Sequence, residues 1–158
     1  MMHEIITARR AIGWSASGSE FLRLYEAAAK EAPDDWELTS AKLQTLGHAL
    51  ECAMKGWLVL MEGADFTDSK VRAKYAGNSG HDLSRLARAA GQHYPVLLKN
   101  LRPIDHLNSS YWGGGKRDYE YPVGNKNIAF VPASELVQLI RPCLMQLSAE
   151  IQRVIQSP

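Results

Sequence analysis

Apolar residues recur along most of this chain at spacings of three and four, the period of a helix with one buried face. In "GSEFLRLYEAAAKEAP" the pattern takes in Phe21, Leu22, Leu24 and Tyr25, with Ser19 placed to cap the start and Pro33 to end it. The longest expected helix runs from Asp35 to about Glu62, where Leu43, Leu46, Leu50, Ala53, Trp57 and Leu60 form one apolar stripe roughly 40 Å long. "DFTDSKVRAKY" reads as a short polar helix or an irregular connection. "GHDLSRLARAAG" reads as a compact helix, with Asp82 as N-cap and Gly91 as its stop. In "YPVLLKNLRPIDHLNSSYW", Leu97, Leu101, Ile104, Leu107 and Tyr111 keep helical spacing, and Pro103 either kinks the helix or opens its second half. The final stripe, Leu136, Ile140, Cys143, Leu147, Ile151 and Val154, predicts a last helix bent at Pro142.

Between the last two helical segments the pattern changes. "YEYPV" and "IAFV" flank the turn-rich "GNKN", which suggests a small β-hairpin or an irregular loop within residues 113–131. The expected fold class is therefore mainly α: an up-and-down antiparallel helical bundle with that hairpin or loop before the last helix. One domain over residues 1–158 suffices, with its core at about 17–157.

Charge and composition narrow the function classes. The 158 residues carry 18 Lys and Arg against 17 Asp and Glu, so nucleic acid could be held only by a local basic patch. Two cysteines are too few for a disulfide framework or a zinc site. No apolar run has the length of a membrane span, and the start lacks a signal-peptide pattern, so a cytoplasmic protein without membrane contact is expected.

Candidate chemistry rests first on five histidines. Neither Glu-x-x-His nor His-Glu-x-x-His occurs, so no metal or other cofactor is expected. Gly113 to Gly115 precede Lys116, but Arg117 follows where a phosphate-binding loop needs Ser or Thr. On the long helix, His48, Cys52 and Lys55 lie opposite the leucine stripe, and Glu51 can pair with Lys55 four residues on. That face is either solvated with one ion pair or a second packing face carrying polar groups. Cys52 suits a buried small residue better than a nucleophile.

The order of these blocks resembles the HEPN domain family. His48, Ala49, Leu50, Glu51, Lys55 and Leu58 match a first motif, and Gly80, His81, Asp82, Leu83 and Leu86 match a second. "LNSSYW" followed by "KRDYEYP" is similar to the family's aromatic ending, with Glu120 where an arginine is common. The similarity spans roughly Leu38 to Pro122. It implies a helical bundle, commonly a homodimer, with roles from metal-independent RNA cleavage through nucleotide binding to silent scaffolding. In the RNase members four to six residues lie between an Arg and the His that follows it. There His serves as acid or base toward the 2′-hydroxyl while Arg stabilises phosphate charge.

This chain departs from that spacing. Arg102 and His106 are separated by three residues, which places them on one helical face beside Asp105. The formal match, Arg88 to His93, crosses an expected helix end. Arg102, Asp105 and His106 are thus the candidate catalytic residues, with a surface Asp–His pair as the structural alternative. Lys116, Arg117, Tyr119 and Tyr121 interleave charge with aromatic rings and, with His48 and Lys55, are the candidate RNA- or nucleotide-binding residues. The same aromatic segment would equally suit a dimer contact or a protein partner. The alternative function is a catalytically silent dimerisation or protein-interaction bundle.

Overall fold

The computed structural model describes residues 2–33, 39–111 and 133–157. Among them the chain forms α1 (Met2–Glu31), α2 (Thr39–Glu62), α3 (Ser69–Ala76), α4 (Leu83–Ala90), α5 (Val96–Lys99), α6 (Leu101–Ser110) and α7 (Ala133–Gln156), with no strand. The mainly α bundle read from the periodicity is what the chain forms. The expected hairpin of residues 119–131 and the start of the long helix at Asp35 lie outside the described residues.

Three long helices make the frame. Thr7 lies beside Gly63, Trp14 beside Gly56, and Phe21 against His48, so α1 and α2 run antiparallel. Ser15 meets Ser148, Gly18 meets Leu144, and Arg141 pairs with Glu26, so α7 also runs antiparallel to α1 and parallel to α2. The shorter helices close the other side, where α4 packs on α2 and α6 packs on α4. The fully buried Leu46, Leu50, Met54, Leu58, Leu83, Leu86, Ile104, Leu107 and Ile140 fill the shared core.

The first helix corrects the expected boundary. Ser19 does not cap it: α1 is continuous from Met2, and Ser19 Oγ donates to Ser15 O at 3.0 Å inside it. Small residues that read as a break are the closest point of the α1–α2–α7 seam. A Cβ on Gly18 would sit 2.7 Å from Leu144 and 3.3 Å from Ala49 O, so packing against two helices overrides weak helix propensity there.

Local signals set the short helices well. Asp68 Oδ1 accepts from Lys70 N at 2.7 Å, and Asp82 Oδ1 from Arg85 N at 3.0 Å, each an N-cap. Pro103 sits in the first turn of α6, where its missing N–H has no intrahelical partner to lose. The break at Asn100 therefore separates α5 from α6, and the segment is two helices rather than one kinked helix. α7 runs on through Pro142.

Candidate functional site

The face of α2 opposite the leucine stripe is a second packing face. Glu51 and Lys55 are both buried, at 5% and 4% exposure, with Lys55 Nζ 2.6 Å from Glu51 Oε1. Lys55 also donates to Gly80 O at 2.9 Å. Gly80 holds φ 77°, a conformation that favours glycine and turns this carbonyl inward between α3 and α4. The ammonium lies 5.2 Å from the ring centres of Trp14 and Phe66, a cation–π enclosure on its remaining side.

Glu51 gathers donors from three elements. His81 Nδ1 lies 2.9 and 3.0 Å from its two oxygens, and the Tyr111 hydroxyl donates to Oε2 at 2.9 Å. Tyr111 OH is also 2.7 Å from His48 Nδ1, and Gln44 Nε2 is 3.2 Å from His48 Nε2. One proton arrangement satisfies these contacts together. Gln44 donates to His48 Nε2, His48 Nδ1–H donates to the tyrosine oxygen, and the tyrosine donates to Glu51. Phe21 stacks on the His48 ring at 4.9 Å. Glu51 thus ties α2 to the α3–α4 turn and to the residue that ends α6.

The electrostatics follow from this geometry. Burial alone would raise the Glu51 carboxyl, but the His81 hydrogen bond and the charges of Lys55 and His81 outweigh it and hold it below its ordinary 4.5. Glu62 is lowered in the same way, its desolvation outweighed by hydrogen bonds from Tyr75 and His93, the latter at 2.8 Å. A carboxyl depressed by folding contributes stability that is complete above about pH 4.5 and disappears as the pH falls through its folded value. The urea midpoint should therefore hold from neutrality to that point and drop below it; a flat acid limb would contradict the network. Cys52 and Cys143 are buried free thiols, each pushed up to about 12 by burial, which suits packing and not nucleophilic attack.

The candidate catalytic residues lie on α6, away from this network. Arg102 and His106 are exposed one turn apart, and among the described residues neither side chain has a hydrogen-bond or ion-pair partner. Asp105 Oδ2 lies 3.4 Å from Arg88 Nη2, so a second guanidinium joins this face from α4. Asn108 fixes the register of the two helices, accepting from Leu83 N at 2.9 Å and donating to Asp82 at 3.1 Å. The formal Arg88–His93 match is split: Arg88 turns to Asp105, while His93 bonds Glu62.

Of the residues expected to bind RNA or a nucleotide, Lys55 is buried against Glu51 and His48 is half-buried beside Tyr111. Lys116, Arg117, Tyr119 and Tyr121 lie outside the described residues. His81, matched from the sequence only as part of the second motif, bonds Glu51, and Tyr111, read from its helical spacing and the aromatic ending, adds its hydroxyl. The signal for His81 was the Gly-His-Asp turn; nothing local marks the tyrosine. Among the described residues no group of three or more His, Cys, Asp or Glu could hold a metal ion, and no helix is long and apolar enough to cross a membrane. Compared with family models, with curated proteins and with solved structures, the chain shows no match.

Proposed function

We propose that this chain is a HEPN-like helical domain that binds RNA without metal through the exposed face of α6. The observation that carries the reading is the pair Arg102 and His106, presented to solvent one turn apart with Asp105 and Arg88 alongside. The helix ends at Tyr111, which the interior carboxylate anchors, and the basic and aromatic sequence containing Lys116, Arg117, Tyr119 and Tyr121 follows directly. Guanidinium groups suit phosphate, and tyrosine rings suit unstacked bases. His106 beside Arg102 also supplies the two groups of a metal-independent ribonuclease, an imidazole for the 2′-hydroxyl proton and a cation for the phosphate.

Incubating a mixed-sequence RNA with the protein in chelator tests this. Retention at low salt is expected, with affinity weakened on the order of tenfold in Arg102→Ala and a salt slope reduced by about one. Cleavage that disappears in His106→Ala would make the face catalytic. Failure to retain RNA at low salt would remove the proposal. The alternative, a silent homodimerisation or protein-interaction bundle, draws on Ile12 and Met145, which stand 43% and 67% exposed on α1 and α7.

A further inference from the structure

On the exposed face of α6 one ion pair crosses to α4, and its geometry is that of a loose pair. Asp105 Oδ2 lies 3.4 Å from Arg88 Nη2, beyond the roughly 2.7–2.9 Å of a charge-assisted N–H···O bond. The contact is single, without the second prong that a guanidinium and a carboxylate form when well aligned. The other carboxylate oxygen, Oδ1, is buried and has no hydrogen-bond partner among the described residues. An acceptor left in that state weakens the arrangement that holds it.

Asp105 has closer cations in sequence. Arg102 lies three residues before it and His106 directly after it, yet neither pairs with it among the described residues. The carboxylate reaches across to Arg88 instead. Arg85, the other guanidinium of α4, bonds Ala73 O of α3 at 2.9 Å. Arg88 is held by its own helix, with Nη1 donating to Ser84 O at 2.9 Å and Nε without a described partner.

A phosphate suits that guanidinium better than the carboxylate does, because its oxygens can take two parallel N–H bonds from the fork. A phosphate arriving beside Arg102 and His106 therefore meets Asp105 in two ways, as a competitor for Arg88 and as a like charge. We propose that Asp105 is an autoinhibitory counter-anion: it occupies Arg88 in the free protein, and RNA must displace it before a phosphate can take that guanidinium. Asp105 is then a regulator of the α6 face and not one of its reacting groups. The inference rests on α6 being the RNA face.

Fluorescence anisotropy of a labelled single-stranded RNA with the full chain, at low salt and in chelator, tests it. Asp105→Asn should bind on the order of tenfold tighter than the unsubstituted chain, with a log–log salt slope steeper by about 0.7, the increment for one more phosphate neutralised on a single strand. Asp105→Ala should shift the same way, so a poorly placed amide at this position does not decide the outcome. A loose, half-exposed pair contributes little to folding, so both variants should fold. In Arg88→Gln, where no guanidinium is left to release, adding Asp105→Asn should lose most of that gain. A gain that survives undiminished in Arg88→Gln would reduce Asp105 to one general negative charge and overturn the proposal. Equal or weaker binding by both Asp105 variants, beside an unsubstituted chain that binds, would also overturn it while leaving α6 as the RNA face. No binding by any of these proteins would remove the RNA reading itself and this inference with it.

Discussion

Replacing Glu51 by alanine is expected to lower the free energy of unfolding by about 3–5 kcal/mol, the cost of leaving one buried charge without its partner. The Lys55 ammonium would remain 4% exposed with only Gly80 O and two ring faces around it. The Tyr111 hydroxyl would lose its acceptor, and His81 would lose both contacts at 2.9 and 3.0 Å. For a domain of this length each kcal/mol moves the thermal midpoint by about 2–4 °C, so a shift of roughly 6–20 °C should be read by calorimetry. An exposed lysine–glutamate pair four residues apart would cost only about 0.3–0.5 kcal/mol, and a loss that small would show that the network does not exist in solution. The double variant Glu51→Leu, Lys55→Met should recover part of the loss, because it removes both charges together. Recovery stays partial, since His81 and Tyr111 still lack their acceptor.

Tyr111→Ala is the second large effect, about 3–5 kcal/mol as for other buried aromatic deletions, whereas Tyr111→Phe should cost about 1–3 kcal/mol. The ring is 1% exposed and fills the space that Gly47 leaves open: a Cβ there would lie 2.7 Å from Tyr111 Cε2. Truncation therefore empties a volume against α2 that the helix backbone borders directly. Phenylalanine keeps the ring and removes only the hydroxyl, which both donates to Glu51 and accepts from His48. Urea unfolding of the two variants separates these contributions. Equal losses would mean that the hydroxyl, not the packed ring, holds the end of α6. A neutral Tyr111→Phe would remove the tyrosine from the polar chain.

The anchoring of Tyr111 bears on the proposed RNA site as well as on stability. Arg102 and His106 share a helix with it, and Asn108 binds the same helix to the start of α4. Pinning both the end and the flank of α6 fixes the exposed pair relative to Arg88. A helix held this way fixes the backbone positions from which Arg102 and His106 project beside Arg88.

Helix identity was legible wherever the determinants are local. The stripes of α2 and α7 and the Asp82 cap follow from period and capping chemistry within a few residues, whereas the segment at Ser69 read equally as a short helix or an irregular connection. Glu51 and Lys55 were legible as a pair because four residues make one turn. The start of α1 was not. Glycine and serine at 13–19 carry weak helix preference, and only α2 and α7 pressing on Gly18 make that stretch helical.

The fold class, the stripes of α2 and α7 and the spacing of the candidate residues of α6 were thus set by the sequence itself, since side-chain period and spacing act within a single element. Tertiary structure decided which polar groups meet around the buried Glu51 and Lys55. His48, Glu51, Lys55, His81 and Tyr111 are separated by up to 63 residues, and no periodicity records that they meet. The same holds for Arg88 of α4 and Asp105 of α6. A buried charge is tolerable only when partners from other elements surround it, so its place is known only once those elements have packed.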